Sequence, residues 1–321
     1  MSETLPRIMV LGANGLIGHG VALELLQRGL PVIGAARRFT MTQRAALDSA
    51  TVEVPLVDLS TNELAGLIAE VKPDIVLNAI GVLQNGPHGQ VENVHRDFVE
   101  RLLVALPQST LLIHISVPGA HHEDKTDFSR TKRAAEALIR TSEKPFAILR
   151  PGFVVAPAAY GGSALVRALA ALPLTLPARE MQAPFATTSL ADISNTVDLV
   201  ARRWAAGHRH WAAIWDVMEP EPGTLGNVLA GVRRHFGGPK PRWTLPSWLM
   251  DVGAQAGDLA SYLGWQPPIR STALAELRRG VAGNPSPWSV ATGLSARNLR
   301  KALAPSLFRN NGSHASTFSR G

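Results

Sequence analysis

"IMVLGANGLIG", Ile8–Gly18, decides the fold. Four apolar residues in a row read as a strand with both faces buried, and glycines at 12, 15 and 18 break it at once. An amphipathic stretch follows and stops near Gly29, so the unit is strand, glycine turn, helix. The same alternation continues outward through "PVIGAA", "VEVPLVD", a helix, "DIVLNAIG", a helix, "LLIHIS", a helix and "FAILRPG". Strands alternating with helices predict an α/β chain with a doubly wound parallel sheet over residues 8–152. The best specified helix follows Ser60. Ser60 and Glu63 form a capping box, Leu64, Leu67, Ile68 and Val71 keep a helical period, and Pro73 ends it.

The turn itself has a chemical reading. Gly12, Asn14, Gly15, Leu16, Ile17 and Gly18 lie between the first strand and the first helix. Glycine lets backbone N–H groups approach a pyrophosphate at the positive end of a helix, which implies a dinucleotide. The plain alternative is an ordinary strand-to-helix connection. An acid at the end of the second strand would select NAD by accepting the adenosine ribose 2′-hydroxyl. Here the stretch is "GAARR", and no acid stands between Glu24 and Asp48. Arg37 and Arg38 suit a 2′-phosphate, so NADP is expected and NAD is the lesser option. Asp58 and Leu59 of "LVDLS" are placed at the adenine. "NAIG", Asn78, Ala79, Ile80 and Gly81, ends the fourth strand beside the cofactor. Each is equally read as strand-end punctuation.

Composition bounds the rest. The chain has 321 residues, 45% of them hydrophobic, enough for a substantial core. It has no cysteine, which removes disulfides and thiolate chemistry and fits a reducing, cytoplasmic setting. No apolar run approaches the ~20 residues that span a bilayer, and "MSETLPRIMV" lacks the pattern of a signal peptide. The net charge of +7 is scattered instead of blocked, so nucleic acid is not expected as a partner. A peripheral association with a membrane or a complex stays open.

These motifs, with "DFSRTKRAAE" (Asp127–Glu136), "LRPGFV" and "FATTSLADIS", resemble the short-chain dehydrogenase/reductase superfamily in its extended or atypical, epimerase/dehydratase-like branch. Within that branch the chain looks most like bacterial relatives of the dehydrogenase-like accessory subunit of respiratory complex I. The resemblance implies a Rossmann-type sheet with a smaller, discontinuous C-terminal cap. Residues 1–155 are then the nucleotide-binding domain, with 185–218 returning to it. Residues 156–184 and 219–305 form the cap, and 306–321 a mobile tail. Pro151 and Phe153 fall beside the nicotinamide.

The resemblance also implies a proton-transfer set: a Tyr, a Lys four residues on that holds the ribose, and a Ser at the carbonyl oxygen. Lys132 matches the lysine and Ser116 the serine, but Phe128 stands at the tyrosine position. Either the chain is an NADP-dependent oxidoreductase acting on a small or apolar carbonyl compound, or it binds NADP without turnover. The chain has two tyrosines, and Tyr160, in the glycine-flanked "AAYGG", is the candidate substitute. Ser129 and Thr131 are rotated from the site by ~100° and are expected to point elsewhere. "AHHED", His121–Asp124 with its flanking Ala120, is read as a solvated polar loop, with no metal site. Trp243, Trp248 and Trp265 are read as cap core in preference to pocket lining.

Overall fold

The computed structural model describes residues 5–48, 50–85, 90–156, 162–262, 267 and 270–303. Tyr160, Trp265 and the 306–321 stretch lie outside them. Strands β1 (Ile8–Leu11), β2 (Val32–Ala36), β3 (Thr51–Glu53), β4 (Ile75–Asn78), β5 (Leu111–Ile115) and β6 (Phe146–Pro151) run parallel. The strand Ala212–Val217 extends the sheet beyond β6, in register from Ala212 opposite Phe146 to Val217 opposite Pro151. The spatial order is Ala212–Val217, β6, β5, β4, β1, β2, β3. Chain direction across the sheet reverses between β1 and β4, the switch point where α/β sheets open a crevice.

Alternation of side chains places a core on each face. Ile8, Val10, Ile75, Leu77, Leu111 and Ile113 point one way, toward α1 (Leu16–Gln27) and the helix Leu190–Ala205. Met9, Leu11, Val76, Leu112 and Ile148 point the other way, toward α3 (Thr61–Val71), α4 (Phe98–Ala105) and α5 (Asp127–Thr141). Burial on both faces is why these strands read as unbroken apolar runs.

The capping box before α3 forms as expected: Ser60 N donates to Glu63 Oε2 at 2.8 Å and Glu63 N to Ser60 Oγ at 3.4 Å. Leu64, Ile68 and Val71 are buried and Leu67 is partly so. The helix stops at Lys72, which takes a left-handed conformation (φ 50°), with Pro73 next. Two local departures have sequence causes. "VEVPLVD" does not run as one strand, because Pro55 lies in it and Leu56–Asp58 turns into a 3₁₀ helix. A short helix not read from the sequence, α2 (Met41–Leu47), is started by a second capping box, Thr40 with Gln43.

A third core lies outside the sheet, beneath the helices Gly162–Ala171, Leu225–His235, Ser247–Tyr262 and Ser271–Arg279. Leu165, Leu229, Met250, Ala254 and Leu277 belong to it. Two of the tryptophans assigned to this core do not join it: Trp243 is 61% exposed and Trp248 66%. The inward stripe of the Ser247–Tyr262 helix is already filled by Met250 and Ala254, which turns Trp248 outward. Trp204 and Trp288 are the fully buried ones, packed with the sheet.

Gly18 is where helix α1 touches the turn. A Cβ there would lie 2.3 Å from Gly12 O, a backbone atom that cannot move aside. Gly18→Ala should therefore destabilise the protein by about 1–3 kcal/mol in urea unfolding. Gly66→Ala, where nothing lies within 4 Å in the middle of α3, should be neutral or stabilise by up to ~1 kcal/mol.

Candidate functional site

The carboxyl ends of β1, β4, β5 and β6 surround a cavity of about 560 Å³. Gly15, Leu16 and Ile17 line it at the start of α1, and Ala79, Ile80 and Gly81 after β4. Ser116 joins from the end of β5, Pro151 and Phe153 from the end of β6, and Phe128 and Lys132 from α5. Gly12, Asn14 and Gly18 build the turn instead of lining the cavity. Gly12 has φ 80°, and a Cβ on it would come within 3.1 Å of Ile80 N. Asn14 Nδ2 donates to Arg38 O at 3.1 Å and ties the turn to the end of β2. Arg37 and Arg38 are exposed there and make no ion pair among the described residues.

Other expected residues stand apart from the cavity. Asp58 is exposed on its 3₁₀ turn, with Leu59 next to it. Asn78 is buried, pairs with His114 Nδ1 at 3.2 Å and accepts the Ile80 N–H at 3.1 Å, so it shapes the turn after β4. Ser129 Oγ meets Thr126 Oγ1, and Thr131 Oγ1 donates to Asp127 O at 2.7 Å, so both point away from the cavity.

Phe128 and Lys132 face the cavity together, one helical turn apart. Lys132 is buried and its Nζ donates to Ile115 O at 2.9 Å and Ile80 O at 3.1 Å. Burial lowers its pKa to about 8, against the opposing pull of Glu136. Phe128 packs edge-on against His95, 5.5 Å between ring centres. His95 lies on a π-helical turn, Asn93–Asp97, accepts the Val82 N–H at its Nε2 and meets Thr131 Oγ1 at its Nδ1. Burial first, then the charge on Lys132, pushes the His95 pKa down to about 2. It is a neutral prop for Val82 and Phe128.

Behind this wall lies a set of buried charges that the sequence did not announce. Glu136, on α5 one turn past Lys132, takes hydrogen bonds from Arg133 and Arg150. Burial pushes its carboxyl up, yet hydrogen bonds from Arg150 and Ser116 and both guanidinium charges hold it below the usual range. The Ser116 contact is loose, with no partner for Oγ in strict hydrogen-bond geometry. Asp124 corrects the reading of "AHHED" as solvated throughout: its carboxylate is buried between Arg133, at 3.0 Å, and Arg279, at 3.1 Å. His121, His122 and Glu123 are exposed, and no metal-ligand cluster occurs among the described residues. Arginine in the apolar "FAILRPG", at a strand end, was the one available signal for this network.

The cradle suits a dinucleotide. A Cβ on Gly15 would meet only Gly12 O, at 3.4 Å, so the space over the start of α1 is open to a bound group. The N-terminus of α1 has no side-chain cap and leaves its N–H groups for an anion. Residues 12–173, just over half of the chain, match the family model described as NAD(P)H-binding. The chain belongs to this family. It carries an NAD(P)H-binding domain on a Rossmann-type parallel sheet. No curated protein matches the sequence. Solved structures share the fold at low identity. The Bordetella bronchiseptica enzyme WbmG in complex with NAD is 14% identical, with a TM-score of 0.66 over 91% of this chain and 89% of that one. A Bacillus cereus UDP-glucuronic acid 4-epimerase, in complex with UDP-glucuronic acid and NAD, is 16% identical, with a TM-score of 0.65 over 92% and 96%. The protein gox2253 is 18% identical, with a TM-score of 0.68 over 93% and 96%.

The depressed pKa of Lys132 has a measurable consequence for stability. Between about 8, the folded value, and 10.5, the unfolded one, the unfolded chain holds a proton that the folded protein has released. Stability of the cofactor-free protein therefore gains from Lys132 as pH rises through that window, by up to ~3 kcal/mol, while below it the burial penalty is fully present. Urea unfolding of wild type and Lys132→Met across this range should show the gain only in the wild type.

Proposed function

We propose that the protein binds NADP(H) and reduces an apolar carbonyl compound held between the sheet and the cap. One observation carries this reading: a single cavity runs from the glycine turn past Ser116 and Lys132 to an apolar wall of Leu165, Val166, Phe185, Leu277 and Val281. That wall does not suit the diphosphate of the nucleotide sugar found in the epimerase relative. Arg279, which also borders it, is engaged by Asp124 and Pro118 O. The WbmG and Bacillus cereus epimerase structures named above contain NAD. The exposed pair Arg37 and Arg38, with the nearby Glu53 carboxylate neutralised by Arg44 at 2.6 Å, is the reason to prefer NADP here.

Bound NADPH supplies the hydride. Lys132 Nζ, with two of its N–H bonds on backbone carbonyls, would hold the nicotinamide ribose with the third. Ser116 borders the cavity and would hydrogen-bond the carbonyl oxygen once its buried Oγ turns from Glu136 toward the bound substrate, with water in the cavity supplying the proton. Phe128 offers no hydroxyl, so turnover is slow by the ~10²–10⁴ that a general acid contributes. Phe128 also favours a second reading, NADP binding without turnover, which the resemblance to the complex I accessory subunit supports. Tyr160 remains the candidate for a replacement acid.

Titration of nicotinamide fluorescence tests the cofactor assignment. NADPH should bind about 10- to 100-fold more tightly than NADH, and Arg37→Ala with Arg38→Ala should erase the difference. Equal affinities in the wild type would sink it. Phe128→Tyr tests the chemistry: the new hydroxyl enters the cavity, NADPH affinity should hold, and reduction of a panel of apolar ketones and quinones should rise ~100-fold or more. Tight NADPH binding with no turnover by either protein would leave the second reading standing.

A further inference from the structure

The cap carries an apolar face that the cavity does not use. In the Ser247–Tyr262 helix, at ~100° per residue, Met250, Ala254, Gly257 and Ser261 fall on one stripe and are buried. Trp248, Leu249, Val252, Ala256 and Leu259 fall on the opposite stripe and are exposed, Leu259 by 68% and Val252 by 53%. A surface helix ordinarily turns charge outward, so a helix apolar on both stripes has a second apolar environment to meet. Its two acids sit on the flank and are taken up by cap arginines, Asp251 by Arg278 at 2.6 Å and Asp258 by Arg270 at 3.2 Å. Neither places a negative charge on the outer stripe.

The segment leading into this helix has the complementary chemistry. No Asp or Glu occurs between Glu221 and Asp251. Within that stretch Arg234, Lys240 and Arg242 are exposed and make no ion pair among the described residues, and exposed Trp243 follows directly. Cations beside exposed tryptophan and an uncharged apolar stripe match the layered chemistry of a lipid interface: anionic headgroups outside, acyl chains within. No described helix is long and apolar enough to cross a membrane, so contact through this face would be peripheral.

We propose that this face of the cap docks on a membrane surface bearing anionic headgroups, with Trp243, Trp248, Val252 and Leu259 entering the headgroup boundary and Lys240 and Arg242 on the phosphates. The inference stands apart from the proposed reaction, because none of these residues lines the cavity.

Flotation of the full-length protein with phosphatidylcholine vesicles, with and without phosphatidylglycerol, tests it, read together with tryptophan emission. The wild type should float with the anionic vesicles, shift its emission to the blue, and release as salt rises. Trp248→Gln with Val252→Gln, and separately Lys240→Gln with Arg242→Gln, should each weaken binding at least tenfold. Melting temperature and NADPH affinity should stay unchanged, since the altered side chains are exposed and remote from the cofactor. Absence of flotation, equal binding to neutral vesicles, or unchanged binding by both variants would overturn the proposal. So would a dimer in light scattering that Trp248→Gln disperses while no lipid binds, because a second copy of the chain would then be what covers the face.

Discussion

The approach of the glycine turn to the end of β4 is the contact on which the rest of the site depends. At Gly12 the backbone comes so close to Ala79 and Ile80 that a Cβ would sit 3.1 to 3.2 Å from their backbone atoms. Six residues on, Gly18 lets α1 rest on Gly12 O. Together they bring the start of α1, with its free N–H groups, to the switch point of the sheet, where both a crevice and a positive potential exist. Each larger side chain that sequence permits elsewhere in α1 is excluded here by backbone.

The second organising feature is electrostatic. Lys132 is a buried cation that meets only neutral carbonyls directly, with the Glu136 carboxylate one turn away. Burying such a charge is costly, and burial lowers its pKa in consequence. The position of this charge is thus kept at the expense of stability. Farther along α5, Arg133 reaches Asp124, which Arg279 of the helix Ser271–Arg279 also grips, so a buried charge cluster joins α5 to the helical C-terminal region. Such clusters fix geometry more than they stabilise, since desolvation offsets much of their attraction.

Phe128 sets the balance between these parts. It keeps the face of α5 apolar at the position where the superfamily resemblance implies a phenol, and it packs on His95. That histidine is held neutral by burial and by the charge of Lys132, so it adds no acid to replace the lost one. The site keeps open space over the glycine turn, and Phe128 brings no hydroxyl to it.

The apolar strands, the glycine spacing, the Ser60 cap and the Phe128–Lys132 pair were legible in the sequence because each depends on neighbours in the chain. Strand alternation and helical period are local geometry, and so is a capping box. Asn78, Asp124 and the exposed Trp243 and Trp248 were not legible in the same way. Asn78 faces His114 on the neighbouring strand, Asp124 is buried by arginines 9 and 155 residues away, and Trp248 points outward because other residues fill the core beneath the C-terminal helices. Burial is decided by what packs against a residue, and only the tertiary structure supplies that partner. The sequence by itself determined the sheet, its order of elements and the place for a dinucleotide. The folded chain decided which charges are buried and which apolar faces are left to meet something else.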